Sequence, residues 1–412
     1  MRSIHAGILT VGDELLVGKT LNRNATYLSK TFDSLGIQTR FHESVGDTQE
    51  AILEALSRRS CSVDLLVITG GLGPTFDDRT RPALMEFYGS KPLFLERVFE
   101  ELSSRYHQFP ESLREQATIP SDAEPLENPV GTAPGLYFPS TSKTSAIVVA
   151  LPGVPTEMEA IVTDHLINRL LEHFKGLLKP RSSLVYAFCM RKEPEIDPHI
   201  RTLSEEFSEL SFGIYPTPGV LEVVIRGEDE RLRQIEHAVT QKMVGWGGRP
   251  LRESLLMTLH RTFIENKFTL SAAESCTGGA FAAAITALSG ASEFFLGSLV
   301  TYSNTSKSAL LGVDADHLES HGAVSSIVAL EMARGSVSRL KSSFSIAFTG
   351  IAGPTGATPT KPLGLVYLAI AGSDGREHVE ELHLRGPRHL VVEKCVNIGL
   401  FRLLEFVAPL SS

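Results

Sequence analysis

Residues 64–80 read "DLLVITGGLGPTFDDRT", and the architecture of the first half of the chain follows from them. An unbroken apolar run, Leu65 to Ile68, opens directly onto glycines. A run without polar alternation fits a strand buried on both faces, the habit of parallel sheets covered by helices. Gly70, Gly71 and Gly73 allow tight backbone approach and positive φ. Thr75, Asp77 and Asp78 follow, at the expected start of a helix. Backbone N–H groups in such a turn suit phosphate. Paired aspartates suit a divalent cation that bridges phosphate oxygens. Thr and Asp are equally at home as helix caps, so the pattern alone leaves both roles open.

Working outward, residues 4–12 read as a strand and 22–36 as a helix stopped by Gly36. A strand over 37–46, a helix over 48–60 and the strand at 63–71 complete a βαβαβ pattern. Such a pattern predicts a parallel sheet with helices on both faces. A further strand, "SAIVVALPGVPTEM" (145–158), ends in a glycine between prolines, with Glu157 opening a helix that runs on through 159–174. Glu157 there is either a metal ligand or an acid complementing the helix start. Two nucleotide motifs are excluded. "GGLGPTF" lacks the last glycine of a dinucleotide fingerprint. "GDELLVGKT" (12–20) has five residues between Gly12 and Gly18, where a P-loop has four. Glu14, at a strand end, is instead a candidate metal or substrate contact.

From about 175 to 250 the character changes to a small α+β insert. Strands are expected at 183–190, 211–216 and 220–227, a helix at 229–245 and a linker, "GWGGRP", at 245–250. The α/β pattern then resumes. "AAESCTGG" (272–279) stands between a strand-like run and an Ala-rich helix, and places Ser275 beside Cys276. Thr277, Gly278 and Gly279 offer N–H groups to an oxyanion or a phosphate. "TYSNTSK" brings Tyr302 and Lys307 just past another strand. No Ser-His-Asp set stands out, and a lysine desolvated beside a serine is an alternative base. "TGIAGPTG" (349–356) is a second Gly-rich turn after a strand, so Thr349, Gly350 and Gly353 are candidate contacts for a ribose or phosphate. Arg388 suits a phosphate through its guanidinium fork. Helix cap and nucleophile both remain open for Ser275 on these grounds.

With 412 residues, two or three domains are expected. Apolar residues at 42% and charged residues at 21% are ordinary for a globular chain. The four cysteines are widely spaced, so neither a metal knuckle nor a disulfide framework is expected, and a cytoplasmic setting fits. No apolar run is long enough for a membrane span. A formal charge of −9 disfavours broad nucleic-acid binding.

"VGDELLVGKTLNRNATYL", "TGGLGPTFDDRT", "NPVGTAPG" and "LPGVPTEM" resemble the N-terminal domain of the CinA (competence/damage-inducible protein A) family. "AAESCTGG", "GSLVTYSNTSKSALLGV", "HGAVS", "TGIAGPTGATPTKPLG" and "LRGPRHLV" resemble its C-terminal domain. The resemblance implies three parts. Residues 1–174 would be a molybdopterin-binding-like parallel-sheet domain with ADP-ribose pyrophosphatase activity. Residues 175–250 would be a KH-type α+β domain with linker. Residues 251–412 would be an α/β nicotinamide mononucleotide (NMN) deamidase. By matching motif positions it implies Ser275, Tyr302 and Lys307 as the catalytic group. Thr277, Gly278, Gly279, Thr349, Gly350, Gly353 and Arg388 would contact NMN. Gly70, Gly71, Gly73, Thr75 and Glu14 would contact ADP-ribose, with Asp77, Asp78 and Glu157 on the metal. It further implies Mg2+ or Co2+, with K+ as an optional addition, for the first domain, no cofactor for the deamidase, and a homodimer. The chain departs from the family pattern at "MRKEPEIDPH" (190–199), where a Gly-Glu-Ser-like turn is usual, and at "GPR" (386–388), where Gly-Asp-Arg is commoner. Two other readings stand beside this one. In one the N-terminal domain only binds a pterin or nucleotide. In the other the insert binds nucleic acid, which the acidic balance and the lack of a GXXG loop disfavour.

Overall fold

Alternate residues of the run at Leu65–Ile68 part to opposite faces of a sheet. Leu65 and Val67 join an apolar cluster with Leu28, Phe32, Ile161 and Leu166. Leu66 and Ile68 join another with Ile52, Leu56 and Leu84. A strand with helices on both sides needs apolar residues at every position, which is why its sequence shows no alternation. The computed structural model describes residues 3–108, 110–141 and 144–410. It divides into two compact units, Met1–Ser182 and Ser183–Ser412.

In the first unit the sheet runs in the order Gln38–Val45, His5–Val11, Leu65–Thr69, Ile147–Leu151, Gly135–Phe138, Glu124–Leu126. The first four strands are mutually parallel. The last two are antiparallel additions that the sequence reading did not anticipate. The helices Arg23–Leu35 and Gln49–Arg59 fall where the periodicity places them. Gly36 ends the first in the left-handed region, at φ 81°. Three strand ends crowd at Gly70, whose N–H reaches Leu151 O at 3.0 Å. A Cβ there would lie 2.2 Å from Val11 O, and φ is +109°. Only glycine fits that crossing.

The second unit holds two sheets. One, in the order Ser211–Thr217, Val220–Glu228, Arg181–Cys189, Arg249–Leu251, carries two helices, Glu193–Glu206 and Asp229–Gly245. The expected linker is not free chain. Trp246 stacks on His199 with ring centroids 4.5 Å apart. Arg249–Leu251 forms a strand against Val185–Ala187. The buried Arg249 guanidinium donates to Leu404 O, at 3.3 Å, and to Ala408 O. A cation that finds carbonyls in the next core anchors the segment where Gly and Pro suggest looseness. The other sheet runs Phe295–Val300, Leu270–Glu274, Phe344–Gly350, Leu365–Gly372, Glu377–His383. Its first three strands are parallel and its last two antiparallel. Helices Leu255–Glu265 and Arg388–Val407 cover one face, and Ser326–Leu340 covers the other. Among the described residues no helix is long and apolar enough to cross a membrane.

Candidate active site

In open α/β sheets, ligands gather beyond the carboxyl ends of parallel strands. In the second unit these ends are Glu274, Val300 and Gly350, and the loops after them carry the expected residues. Ser275 follows Glu274 directly and is 8% exposed. Lys307 lies in the helical segment after Val300, and only 1% of it reaches solvent. Its Nζ stands 3.0 Å from Ser275 Oγ, 2.8 Å from Thr301 O and 3.5 Å from Tyr302 O. Among the described residues no carboxylate pairs with this ammonium. Burial holds the Lys307 pKa below its ordinary value, against a smaller upward pull from Cys276. A neutral amine has two N–H donors and one lone pair. The two carbonyls take the donors, which leaves the lone pair for the Ser275 hydroxyl. That is the arrangement a general base needs.

Cys276 packs away from this contact. It is 5% exposed and belongs to the core with Cys395. Its side chain hydrogen-bonds Cys395, and this bond together with burial drives the Cys395 thiol well above its ordinary value. Cys189 is pushed up to about 12 by burial. No histidine reaches Ser275 among the described residues. His317 pairs with Glu331 at 2.5 Å and His383 with Glu381 at 2.8 Å.

The N–H groups at the turn are not equivalent. Gly279 donates to Glu274 Oε2 at 2.9 Å, and Gly278 donates to Ser275 O at 3.2 Å. Those of Cys276 and Thr277 make no hydrogen bond among the described residues. Thr277 Oγ1 and Thr301 Oγ1 are likewise buried without partners. The free donors beside Ser275 are therefore on Cys276 and Thr277 rather than on the glycines. Fully buried Glu274 organises this turn. It accepts from the N–H groups of Gly279, Phe281 and Ala282 and from Ser298 Oγ, at 2.9–3.1 Å. A carboxylate at a helix N-terminus offsets exposed donors and dipole together. Sequence reasoning passed over Glu274 because its neighbours carry the chemistry. The Ser-plus-helix pattern held the signal.

Tyr302 is 63% exposed, and its hydroxyl accepts from Arg388 at 3.0 Å. Arg388 also donates to Gly353 O at 3.1 Å. Thr349 is buried and its hydroxyl donates to Ala323 O. Gly350 leaves no room for a Cβ against Leu365 O and Val366. Ser275, Lys307, Tyr302, Arg388 and Gly353 thus form one chain of contacts.

In the first unit a cavity of about 400 Å³ opens at the ends of His5–Val11 and Leu65–Thr69. Glu14 lines it, with Thr10, Lys19, Asn22, Asn24 and Thr69. Asn24 is 8% exposed and donates to Thr69 Oγ1 and Gly153 O, both at 2.8 Å. Its Oδ1 is buried without a hydrogen-bond partner among the described residues. Lys19 was missed because the failed P-loop match over 12–20 drew attention from the residues inside it, and Asn24 because a polar residue at a helix start reads as part of the cap. The Gly-rich turn stands beside this cavity, since Gly153 packs on Gly70. Its helix begins only at Thr80, later than expected. Asp78 accepts from the Thr75 N–H at 2.9 Å and from its hydroxyl at 2.6 Å. Asp77 also accepts from that hydroxyl, a bond that holds its carboxyl below the ordinary range. Glu157 accepts from Asn128 at 2.7 Å. Asp77, Asp78 and Glu157 do not converge: no three His, Cys, Asp or Glu side chains among the described residues are grouped to hold a metal ion. Asp47 does feel its neighbours. Burial raises its carboxyl, and the charges of Asp13, Glu14 and Asp77 add to this against the Asp13 N–H.

Comparison with known proteins finds a family model within each unit. Residues 7–173 match a family model described as a probable molybdopterin binding domain, and residues 252–407 match one for the CinA C-terminal domain. A CinA-like protein of Flavobacterium psychrophilum is 33% identical over 413 residues, covering 96% of each chain. Another from Salinibacter ruber is 35% identical over 412 residues, again covering 96% of each. A solved structure, the competence/damage inducible protein CihA of Agrobacterium tumefaciens, is 35% identical and covers 37% of this chain and 96% of its own, with a TM-score of 0.36. Full-length identity of this order, with both domain models in sequence, makes the chain a member of the CinA family.

Proposed function

We propose that the second unit hydrolyses the carboxamide of NMN to nicotinate mononucleotide and ammonia. The observation that carries this reading is the contact between a buried, carboxylate-free lysine and a serine hydroxyl at a strand end. Lys307 takes the Ser275 proton as Oγ bonds to the amide carbon. The N–H groups of Cys276 and Thr277 receive the oxyanion. The C–N bond then breaks, and Lys307 returns its proton to the departing ammonia. Water, deprotonated by the same amine, attacks the seryl ester; the acyl–Oγ bond breaks, Lys307 returns that proton to Ser275 Oγ, and the acid leaves as carboxylate with its proton passing to solvent. Arg388 is the cation suited to the phosphate of the substrate. These steps call on no metal ion.

For the first unit we propose hydrolysis of ADP-ribose to AMP and ribose 5-phosphate, with a divalent metal. The fit is partial. Asp77 and Asp78 supply oxygen donors of the type Mg2+ takes, and Mg2+ is commonly held by one or two carboxylates plus substrate phosphates. Glu157, held by Asn128, stands outside that set. When bound, the metal would neutralise the diphosphate. The 400 Å³ cavity, with Lys19 and the unpartnered Asn24 Oδ1, would receive the rest of the nucleotide. Because no three-ligand group is present among the described residues, a second reading keeps its place: the first unit binds a pterin or nucleotide without turnover. Incubating the purified chain with NMN and with ADP-ribose, with and without EDTA, separates these readings. NMN deamidation that survives EDTA, beside ADP-ribose hydrolysis that does not, is expected. Deamidation abolished by the chelator would defeat the Ser–Lys mechanism. ADP-ribose bound but unchanged would leave the binding module.

A further inference from the structure

Two segments that the proposed reactions leave unused face each other in the second unit across a cleft of about 590 Å³. One wall is Met190–Glu193 with the turn Pro216–Leu221, and the other is His383–Arg385 with Lys394. The Met190–Glu193 part of the first wall lies in the stretch where the chain departs from the family pattern. We propose that this cleft binds a small molecule carrying a chain of phosphates, such as pyrophosphate or a nucleoside polyphosphate. Four cations, Arg191, Lys192, Arg385 and Lys394, line the cleft against one carboxylate, Glu193. The chain as a whole carries −9, so the local sign is opposite to the global one. Clustered like charges repel each other and raise the local concentration of a counter-ion.

The cations are available. Among the described residues Lys192 and Arg385 have no ion-pair partner. Arg191 pairs only with Glu195, on an exposed surface at 3.3 Å, a contact of small worth. Lys394 donates to Arg385 O at 2.6 Å, which ties the two cations of one wall together. Arginine forks match phosphate oxygens, and lysines add point charge. The opposite wall is held in an unusual backbone state. Met190 sits at φ 58°, in the left-handed region, with its N–H on Gly219 O at 3.0 Å. A non-glycine residue kept there marks a surface whose shape the surrounding structure imposes. The size falls within the roughly 300–1,000 Å³ of small-molecule sites. Among the described residues no Phe, Tyr or Trp lines the cleft, and its one ring, His383, is paired with Glu381 at 2.8 Å, so the row of rings that makes a stacking platform in a single-strand nucleic-acid groove is absent. Met190 and Pro216 supply an apolar side on which a base can rest.

The proposal stands apart from amide hydrolysis, and its test reads binding alone. Calorimetric titration of the full chain, without added metal, uses inorganic pyrophosphate in one arm and ATP in the other. Binding is expected in both, weakening as salt is raised. The pair Lys192→Glu and Arg385→Glu should weaken it by about tenfold or more. Equal affinity for the two ligands assigns the site to the phosphate chain, and tighter ATP binding adds the apolar side. If the double variant is not folded by circular dichroism, Lys192→Ala, a change at an exposed position, carries the same expectation of weaker binding. Isotherms unchanged by these variants but weakened by Lys19→Glu would place the anion in the first unit's cavity and overturn the proposal. A short single-stranded oligonucleotide that binds more tightly than ATP, and is lost in the same variant, would replace it with a nucleic-acid surface.

Discussion

Two turns in this chain are written alike and behave differently. Each follows an apolar strand, each is rich in glycine and hydroxyl residues, and each leads to a helix. At Gly70–Asp78 the polar groups satisfy one another near the surface: Thr75 is shared between Asp77 and Asp78. At Ser275–Gly279 the satisfaction is incomplete, and its first three residues, Ser275, Cys276 and Thr277, are buried. Glu274 consumes one set of donors, while the N–H groups of Cys276 and Thr277 stay free and a buried lysine faces the serine hydroxyl. Burial sets the second turn apart. It strips water from the Lys307 amine and holds its pKa below the ordinary value. The first turn, bathed in solvent, gains nothing comparable without an added cation.

The sharpest break of this comparison is at its reactive pair. Ser275→Ala should cut NMN turnover by at least about a thousandfold, and Lys307→Ala should do as much, since such residues act as a unit. Lys307→Arg should not rescue, because guanidinium stays protonated. Cys276→Ala should stay within about tenfold of the parent, because the thiol packs in the core beside Cys395 and is not among the hydrogen-bond partners of Lys307, which are Ser275, Thr301 and Tyr302. The pH profile carries a second signature. The base works when neutral, so kcat/KM should rise with pH and level off once Lys307 has lost its proton. Burial lowers that pKa, so the plateau should arrive below the ordinary lysine value of about 10.4. A Ser275→Ala enzyme that remains active and is inactivated by iodoacetamide, with NMN protecting, would move the nucleophile to Cys276.

The exposed turn is tested by the converse change. Asp77→Ala or Asp78→Ala should lower ADP-ribose hydrolysis by about a hundredfold, the scale of lost metal-site partners, and leave NMN deamidation untouched. If both variants keep full EDTA-sensitive turnover, these carboxylates only shape the turn around Thr75, and the metal site lies elsewhere.

Much of this contrast was legible in the sequence, for identifiable reasons. The βαβαβ pattern of residues 4–71 was readable because central parallel strands are continuous apolar runs and amphipathic helices repeat every 3.6 residues. The antiparallel strands Glu124–Leu126 and Gly135–Phe138 were not, being too short for a periodic signal. The strand Arg249–Leu251 was hidden by the glycines before it. Ser275 and Lys307 were candidates by residue type, and the match of motif positions, not spacing or periodicity, assigned them the chemistry. Their contact is long-range and arises only from pairing Leu270–Glu274 beside Phe295–Val300. The roles of Glu274 and of the Cys276 and Thr277 N–H groups depend on which donors are already engaged, and residue type does not encode that.

Glu274 allows a measurement of how much the buried turn depends on its cap. Glu274→Ala would strand three N–H groups and the Ser298 hydroxyl in a dry site. Losing charge-assisted bonds and leaving donors unpaired should cost about 2–4 kcal/mol, read as a lower urea midpoint for the second unit. An unchanged midpoint would mean that water reaches these donors, and the turn would then be no drier than the one at Gly70–Asp78.

The smallest effect concerns Tyr302, which motif matching groups with Ser275 and Lys307. The structure separates the two ends of this residue. Its backbone carbonyl accepts from Lys307 at 3.5 Å, whereas its hydroxyl, on a side chain 63% exposed, accepts from Arg388 at 3.0 Å. The carbonyl survives any substitution. Tyr302→Phe removes only the tie to Arg388, a bond in reach of water and worth about 1 kcal/mol. If Arg388 holds the substrate phosphate, the loss should appear as a KM raised about fivefold with kcat preserved. The pH profile should stay as in the parent, because the Lys307–Ser275 contact is unaltered. A kcat lower by about a hundredfold at unchanged KM would put the hydroxyl in the proton transfer itself. It would also require the exposed ring to swing toward Ser275 when substrate is bound, erasing the distinction between a dry reactive pair and a wet binding edge.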